Sequence, residues 1–220
     1  CNSFFASVET VLDPSLKNVP MAVCGSEEDR HGIVLAKSEP AKRLGIKTGM
    51  VNWQAKQLCP NLIIIPPNYE YYVKFSALVR NIYYRYTDLV EPFGLDECWL
   101  DVTASGALGS PTDIAEHIRR TVKEELGLTV SIGVSYNKVF AKLGSDMKKP
   151  DAVTVITKEN FKQKVWPLPI SDLLFVGKST NEKLRNIGIT TIGDVSLCDD
   201  KTLERLLGKN GAQLKNYALG

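Results

Sequence analysis

No stretch of the chain stays apolar for anything near the roughly 18–20 residues that cross a bilayer, and the longest such run, residues 62–67, has the length of one buried strand. Paired cysteines are missing too. The five that occur, Cys1, Cys24, Cys59, Cys98 and Cys198, are scattered, odd in number and never in a C-x-x-C pair. That pattern suits reduced thiols in a cytoplasmic protein and argues against a disulfide framework or a zinc site. An excess of charge of one sign is absent: 27 Lys+Arg against 25 Asp+Glu leave +2, so bulk charge singles out no partner. The chain opens at Cys1 without a basic n-region or cleavage pattern, so secretion is not expected. Internal repeats and low-complexity tracts are lacking as well. What remains is 44% hydrophobic and 24% charged over 220 residues. That is ordinary globular composition, with chain enough for one large domain or two to three small ones.

The patterning changes character along the chain. Residues 3–12 read as a short helix halted by the Asp13-Pro14-Ser15 turn. Residues 19–25 and 33–36 are strand-like runs split by the polar segment 26–32. Brief helices are expected at 39–44, ending at Gly45, and at 52–58, before Pro60. A buried strand at 62–65 is closed by Pro66-Pro67. Residues 69–86 hold the longest helical pattern, with Tyr72, Phe75, Ala77, Val79, Ile82, Tyr83 and Tyr86 near helical spacing. Strands at 90–94 and 98–102 flank a carboxylate pair and form a tight hairpin. Ser110-Pro111-Thr112-Asp113 opens a helix over 114–126 that stops at Gly127. Strands follow at 129–135 and 152–156, with a helix over 137–146 between them. Beyond Lys158 only helices are expected, punctuated by Pro167, Pro169, Gly177, Gly188, Gly193 and Gly208. Boundaries fall near Lys158 and, more softly, near Pro67, and the middle block reads as α+β.

Four segments carry possible chemistry. In Gly94-Leu95-Asp96-Glu97-Cys98-Trp99-Leu100, two adjacent carboxylates stand between apolar strand residues. In a regular strand they face opposite sides, but at a hairpin tip both can turn toward one point. A divalent cation there offsets their repulsion, and hard carboxylate oxygens suit Mg²⁺. A solvated Asp-Glu turn is the plainer alternative. At the N-terminus, Phe4 and Phe5 in Cys1-Asn2-Ser3-Phe4-Phe5 are core residues on composition alone. Lys138 and Lys142 share a helix face, and Lys149 ends that segment against Pro150, where a lysine can reach phosphate; a solvated basic face is the other reading. Gly177-Lys178-Ser179-Thr180 sets a glycine turn before a helix N-terminus, presenting N–H groups to a phosphate. The pattern is that of a helix-hairpin-helix, or of an ordinary helical packing unit.

Together, in this order, residues 3–9, 41–49, 92–103, 131–150 and 168–195 resemble the Y-family of translesion DNA polymerases, most closely its bacterial DNA polymerase IV (DinB) class. The resemblance covers nearly the whole chain. It implies an α+β palm, small α/β fingers and an all-helical helix-hairpin-helix thumb. The palm would be residues 1–8 and 68–157, the fingers 9–67 and the thumb 158–220. It implies template-directed, Mg²⁺-dependent nucleotidyl transfer from a dNTP to a primer 3′-OH, with two Mg²⁺ per active site. Asp96 would bind metal, Glu97 would help position the ion that activates the 3′-OH, and Cys1 would offer its backbone carbonyl. Phe5 resembles the steric gate under the sugar, with Asn2, Ser3 and Phe4 near the triphosphate. Lys42 and Lys149 would contact the triphosphate, and Gly177, Lys178, Ser179 and Thr180 the duplex backbone. The partners implied are primer-template DNA, dNTP and, through the family's C-terminal region, a sliding clamp; the protein is expected to be a cytoplasmic monomer that binds no membrane.

Some positions depart from the family pattern. The metal-binding aspartate that precedes the position of Cys1 in family members lies outside this sequence, as does the little finger, so the chain reads as a fragment. Glu39 and Lys42 stand where the family carries a phosphate-holding tyrosine and arginine. Phe175 replaces a common first glycine of the thumb turn. Two further readings therefore stay open. One is a DNA-binding palm and thumb without catalysis; the other is a different palm-type nucleotidyl enzyme such as a cyclase, for which a duplex-gripping thumb has no use.

Overall fold

Helix starts and stops are written locally along most of the chain. The computed structural model describes residues 1–26 and 32–220; of the expected polar segment 26–32, residues 27–31 lie outside the described residues. The chain divides into two compact units, Cys1–Val130 and Ser131–Gly220.

The first unit begins with α1 (Phe4–Leu12), whose alternate residues Phe4, Ala6 and Val8 are buried. Strands β1 (Met21–Cys24) and β2 (Val34–Lys37) follow, then α2 (Glu39–Arg43), α3 (Asn52–Leu58) and β3 (Ile63–Ile65). The sheet order is β2-β1-β3, antiparallel on the β2 side and parallel on the β3 side. All four residues of central β1 are buried. Ala22, Cys24, Val34, Ala41, Ile46, Ala55, Cys59 and Leu62 make a core beneath α2 and α3. β3 was expected as a buried strand. It is instead an edge strand with Ile63 41% exposed, because β1 covers only one of its sides.

The long helix α4 (Tyr69–Tyr83) is capped by Asn68, which accepts from the Tyr71 N–H. It ends three residues before the expected Tyr86. Arg85 and Tyr86 donate to Ile82 and Tyr83, so the chain tightens into i→i+3 turns there. β4 (Val90–Phe93) and β5 (Glu97–Leu100) form the hairpin, paired from Val90 with Leu100 to Phe93 with Glu97. Its loop is three residues, Gly94, Leu95 and Asp96, and Gly94 takes φ +80°, a region that glycine enters without a Cβ clash. Helix α5 (Pro111–Leu126) starts at a reciprocal Ser110–Asp113 capping box and ends at Gly127 with φ +68°. Its buried stripe is Ile114, Ala115, Ile118 and Val122.

In the second unit β6 (Ile132–Val134) and β7 (Val153–Val155) pair in parallel, joined through α6 (Lys138–Met147). Strand and helix meet at glycine: a Cβ on Gly133 would lie 1.9 Å from the Ala141 carbonyl oxygen, and one on Gly144 would lie 3.2 Å from the Gly133 Cα. Five helices follow, α7 (Phe161–Val165), α8 (Lys178–Arg185), α9 (Ile192–Leu197), α10 (Asp200–Leu207) and α11 (Lys209–Leu219). No named strand occurs after Lys158 among the described residues, as the patterning predicts. One core runs from Phe140, Leu143 and Ile156 to Leu184, Ile192, Val195, Leu203 and Ala218. It groups the β6–α6–β7 segment with the helices after Lys158. Among the described residues no helix is long and apolar enough to cross a membrane.

Candidate active site and glycine turn

The first unit brings three separated segments together. The Cys1 nitrogen donates to the Asp96 carbonyl oxygen at 2.7 Å and lies 3.6 Å from an Asp96 carboxylate oxygen. The Asn2 N–H donates to Thr129 O at 2.9 Å. The N-terminal segment therefore runs between the hairpin loop and the chain after α5. Asn2 is buried, with Nδ2 donating to Thr129 Oγ1 at 3.1 Å. Ser3 adopts φ +46°, a left-handed conformation that costs a non-glycine residue about 1–2 kcal/mol. The surrounding bonds hold it there: Ser7 Oγ donates to Asn2 O at 2.8 Å, and Ser3 Oγ to Glu39 Oε1 at 3.4 Å. Glu39 also lies 3.7 Å from Lys42 Nζ, so the acid and base that stand on α2 pair with each other beside Ser3.

Phe4 and Phe5 point to different environments. Phe4 is 5% exposed, in the core. Phe5 is half-buried and stacks flat on Tyr72, with centroids 4.0 Å apart and planes at 9°, and meets Tyr69 edge-on. Tyr72 is fully buried, and its hydroxyl donates to Glu9 Oε1 at 2.5 Å. Burial, then the Glu9 carboxylate, push that hydroxyl's pKa well up, so it stays a donor.

Asp96 sits in the hairpin loop and Glu97 is the first residue of β5, both partly exposed. Below them Tyr83 is buried, and its hydroxyl pKa is raised by burial first and by Cys98 and Asp96 after. Burial pushes the Cys98 thiol up as well, against the pull of the Arg80 guanidinium. The side-chain donors that Asp96 and Glu97 offer a cation are hard oxygens, two carboxylates. No group of three acidic, histidine or cysteine side chains suited to a metal occurs among the described residues. Two carboxylates fit Mg²⁺, which is held by one or two of them together with substrate phosphates and water.

Sequence reasoning missed Ser76 and Arg80 of α4. Ser76 Oγ donates to the Leu95 carbonyl, while Arg80 Nη2 donates to Ser76 Oγ at 2.9 Å and to the Gly94 carbonyl at 3.2 Å. A signal was present: Ser76 is the polar member of the buried stripe Tyr72, Ser76, Val79, Ile82 and Tyr83.

The second unit carries the other predicted residues. Lys149 Nζ lies 2.6 Å and Lys142 Nζ 2.9 Å from the Asp146 carboxylate. Burial raises the pKa of Asp146, but its bonds to Lys149 and Lys142 outweigh that and hold it below the usual carboxylate range. Gly177 is the N-cap of α8 and supplies no side chain, so the first N–H groups of that helix are left uncapped. Gly177, Lys178 and Ser179 are exposed and Thr180 is partly so; the Lys178 side chain is 90% exposed, 4.0 Å from Glu182. Phe175 is 68% exposed and holds φ +67°, a left-handed position at which glycine has no penalty. The turn into α9 is pinned by a Thr191–Asp194 capping box.

Comparison with known proteins identifies the family. The model of the impB/mucB/samB family matches residues 1–146, and that of the IMS family HHH motif matches residues 158–189. The chain is 58% identical over 220 residues to DNA polymerase IV of Acetivibrio thermocellus, covering all of this chain and 55% of the relative. It is 45% identical over 219 residues to DNA polymerase IV 1 of Bacillus subtilis, covering 53% of that protein. It thus spans about half the length of the curated relatives it matches. Among solved structures, an insertion ternary complex of Dbh DNA polymerase superposes with a TM-score of 0.91 at 31% identity, over 99% of this chain and 64% of that one. DinB from Sulfolobus solfataricus gives a TM-score of 0.89 at 30% identity, with the same coverage. A carboxylate hairpin bonded to the segment that bears Phe5, and a glycine turn leading into a thumb-type helix, are thus found in a chain that belongs to the impB/mucB/samB family, within the Y-family DinB/DNA polymerase IV group.

Proposed function

We propose that this chain carries the palm, fingers and thumb of a template-directed, lesion-bypass DNA polymerase. In this reading the palm is residues 1–8 and 68–157, the fingers 9–67 and the thumb 158–220. The observation that carries it is the 2.7 Å bond from Cys1 N to Asp96 O, which sets the segment bearing Phe5 against the carboxylate hairpin. Asp96, Glu97 and the Cys1 carbonyl would hold Mg²⁺, which when bound stabilises the attacking and leaving oxygens of an in-line displacement. The remaining work falls to side chains. Phe5, backed by Tyr72, offers a flat apolar plate to the sugar of a dNTP. Lys42 supplies positive charge to its triphosphate, along with backbone from Asn2, Ser3 and Phe4, and Lys149 is a further phosphate-binding candidate carried by the second unit. The 2.6 Å bond to Asp146 steadies Lys149 until phosphate replaces the carboxylate. Gly177, Lys178, Ser179 and Thr180 grip the primer-template backbone without reading bases.

The test is primer extension by the full-length gene product on a duplex with a templating overhang, with four dNTPs and Mg²⁺. Extension that follows the template and stops with chelator is the expected result. Duplex binding without extension would replace this reading with that of a DNA-binding protein. A finer expectation concerns the thumb turn. Because Lys178 is exposed and meets phosphate as a point charge, Lys178→Ala should weaken binding of all duplex sequences alike. The slope of log K against log salt should flatten by about one unit. Anisotropy titrations on several duplexes check this, and a loss confined to certain sequences would mean that the turn reads bases.

A further inference from the structure

The three carbonyl oxygens of the hairpin loop are each taken by a donor from outside it. Gly94 O accepts from Arg80 Nη2 at 3.2 Å, Leu95 O from Ser76 Oγ, and Asp96 O from Cys1 N at 2.7 Å. Ser76 is 3% exposed and also accepts from Arg80 at 2.9 Å, so its single proton is directed at Leu95. A peptide unit in a three-residue loop cannot rotate without losing one of these bonds. Without these donors the loop peptides could turn, and the Asp96 side chain would turn with them.

We propose that Ser76 and Arg80 are positioning residues: from α4 they hold the peptide planes of Gly94 and Leu95, and with them the conformation of the loop that carries Asp96 and leads into Glu97, in the metal-free protein. The proposal rests on the polymerase reading for its consequence in catalysis, but the clamp itself is a property of the loop. α4 also carries Tyr72, one turn before Ser76 on the same face, against which Phe5 stacks. One helix therefore sets both the carboxylate loop and the apolar plate.

Charge gives the test its sign. If Arg80 acted only through its positive charge, removing it would tighten binding of a divalent cation. As a clamp, its removal weakens binding despite the lost repulsion. In the full-length gene product, Ser76→Ala and Arg80→Met should speed amide exchange at residues 94–98 about 10-fold or more, since a hydrogen bond to a charged group is worth about that factor. Mn²⁺ binding, titrated alone and read by electron paramagnetic resonance, should weaken several-fold in both. In single-nucleotide insertion, kcat should fall and the Mg²⁺ needed for half-maximal rate should rise, while KM for dNTP stays within about two-fold. Arg80→Lys, which keeps a donor and the charge, should recover most of the exchange protection. Tighter Mn²⁺ binding in Arg80→Met, or unchanged exchange at 94–98 in both variants, would overturn the clamp. Failure of the unmutated protein to extend a primer would instead overturn the polymerase reading, with the exchange measurement still deciding the clamp.

Discussion

Asp96→Ala is expected to abolish primer extension while leaving the fold intact. A metal held at the reacting oxygens contributes several kcal/mol to transition-state stabilisation, so losing it corresponds to a fall of about 10³-fold or more in kcal-to-rate terms. The fold survives because Asp96 is bonded into the structure through its backbone carbonyl, which accepts from Cys1 N at 2.7 Å and is untouched by the change. Its carboxylate is partly exposed, so the truncation opens no cavity. Removing one of two neighbouring carboxylates also relieves their repulsion in the metal-free state. The melting temperature should therefore hold or rise slightly. Single-nucleotide insertion and calorimetry on the full-length gene product check the two halves separately. Insertion at the unmutated rate would remove Asp96 from the catalytic set, whereas a collapse in melting temperature would make it a structural residue.

Phe5→Ala should relax the choice of sugar. Phe5 lies 4.0 Å from Tyr72 with the rings nearly parallel, and Tyr72 is itself fixed by burial and by its 2.5 Å bond to Glu9. The plate therefore cannot swing aside to admit a 2′-hydroxyl. Forcing one extra heavy atom against a fixed surface costs about 1–3 kcal/mol, or roughly 5–150-fold in discrimination. Phe5 has no polar atom, so on the proposed reading it would select by volume. Ribonucleotide insertion should rise by a factor in that range, with deoxynucleotide insertion changing much less. Phe4 is the internal control. It is 5% exposed, so Phe4→Ala should cost about 3–5 kcal/mol in urea denaturation without altering sugar choice. Equal selectivity in Phe5→Ala and the unmutated protein would return Phe5 to the status of a core aromatic.

Most element boundaries were legible because their signals are local. Ser110, Pro111 and Asp113 start α5 and Gly127 ends it through contacts within a few residues, and the same holds for Thr191 and Asp194 at α9. The hairpin was legible because a short turn between apolar strands has its signal in adjacent residues, although Glu97, expected in the turn, opens β5 and only Asp96 lies in the loop. Sequence alone failed where partners are distant. Ser76 bonds to Leu95 across 19 residues, and Ser3 to Glu39 across 36. Glu39 stands where the family carries a tyrosine, and its pairing with Lys42 shows only in the structure. The hydrophobic run at 62–65 looked buried because composition reports apolarity but not which side of a sheet stays open. The end of α4 was overextended because Tyr86 keeps helical spacing even where the backbone has tightened.

The glycine contact between β6 and α6 bears on how this molecule tolerates sequence drift. Where side chains separate two elements, exchanges among them shift the elements by fractions of an ångström and neighbours repack. Here backbone touches backbone, since a Cβ on Gly133 would fall 1.9 Å from the Ala141 oxygen. There is no interposed layer to thin or thicken. The crossing of strand and helix is set by van der Waals radii, and Lys149, two residues beyond the end of α6, inherits that setting. Position 133 is thereby closed to every residue but glycine. The helix thus acts as a stiff lever whose pivot has no wear.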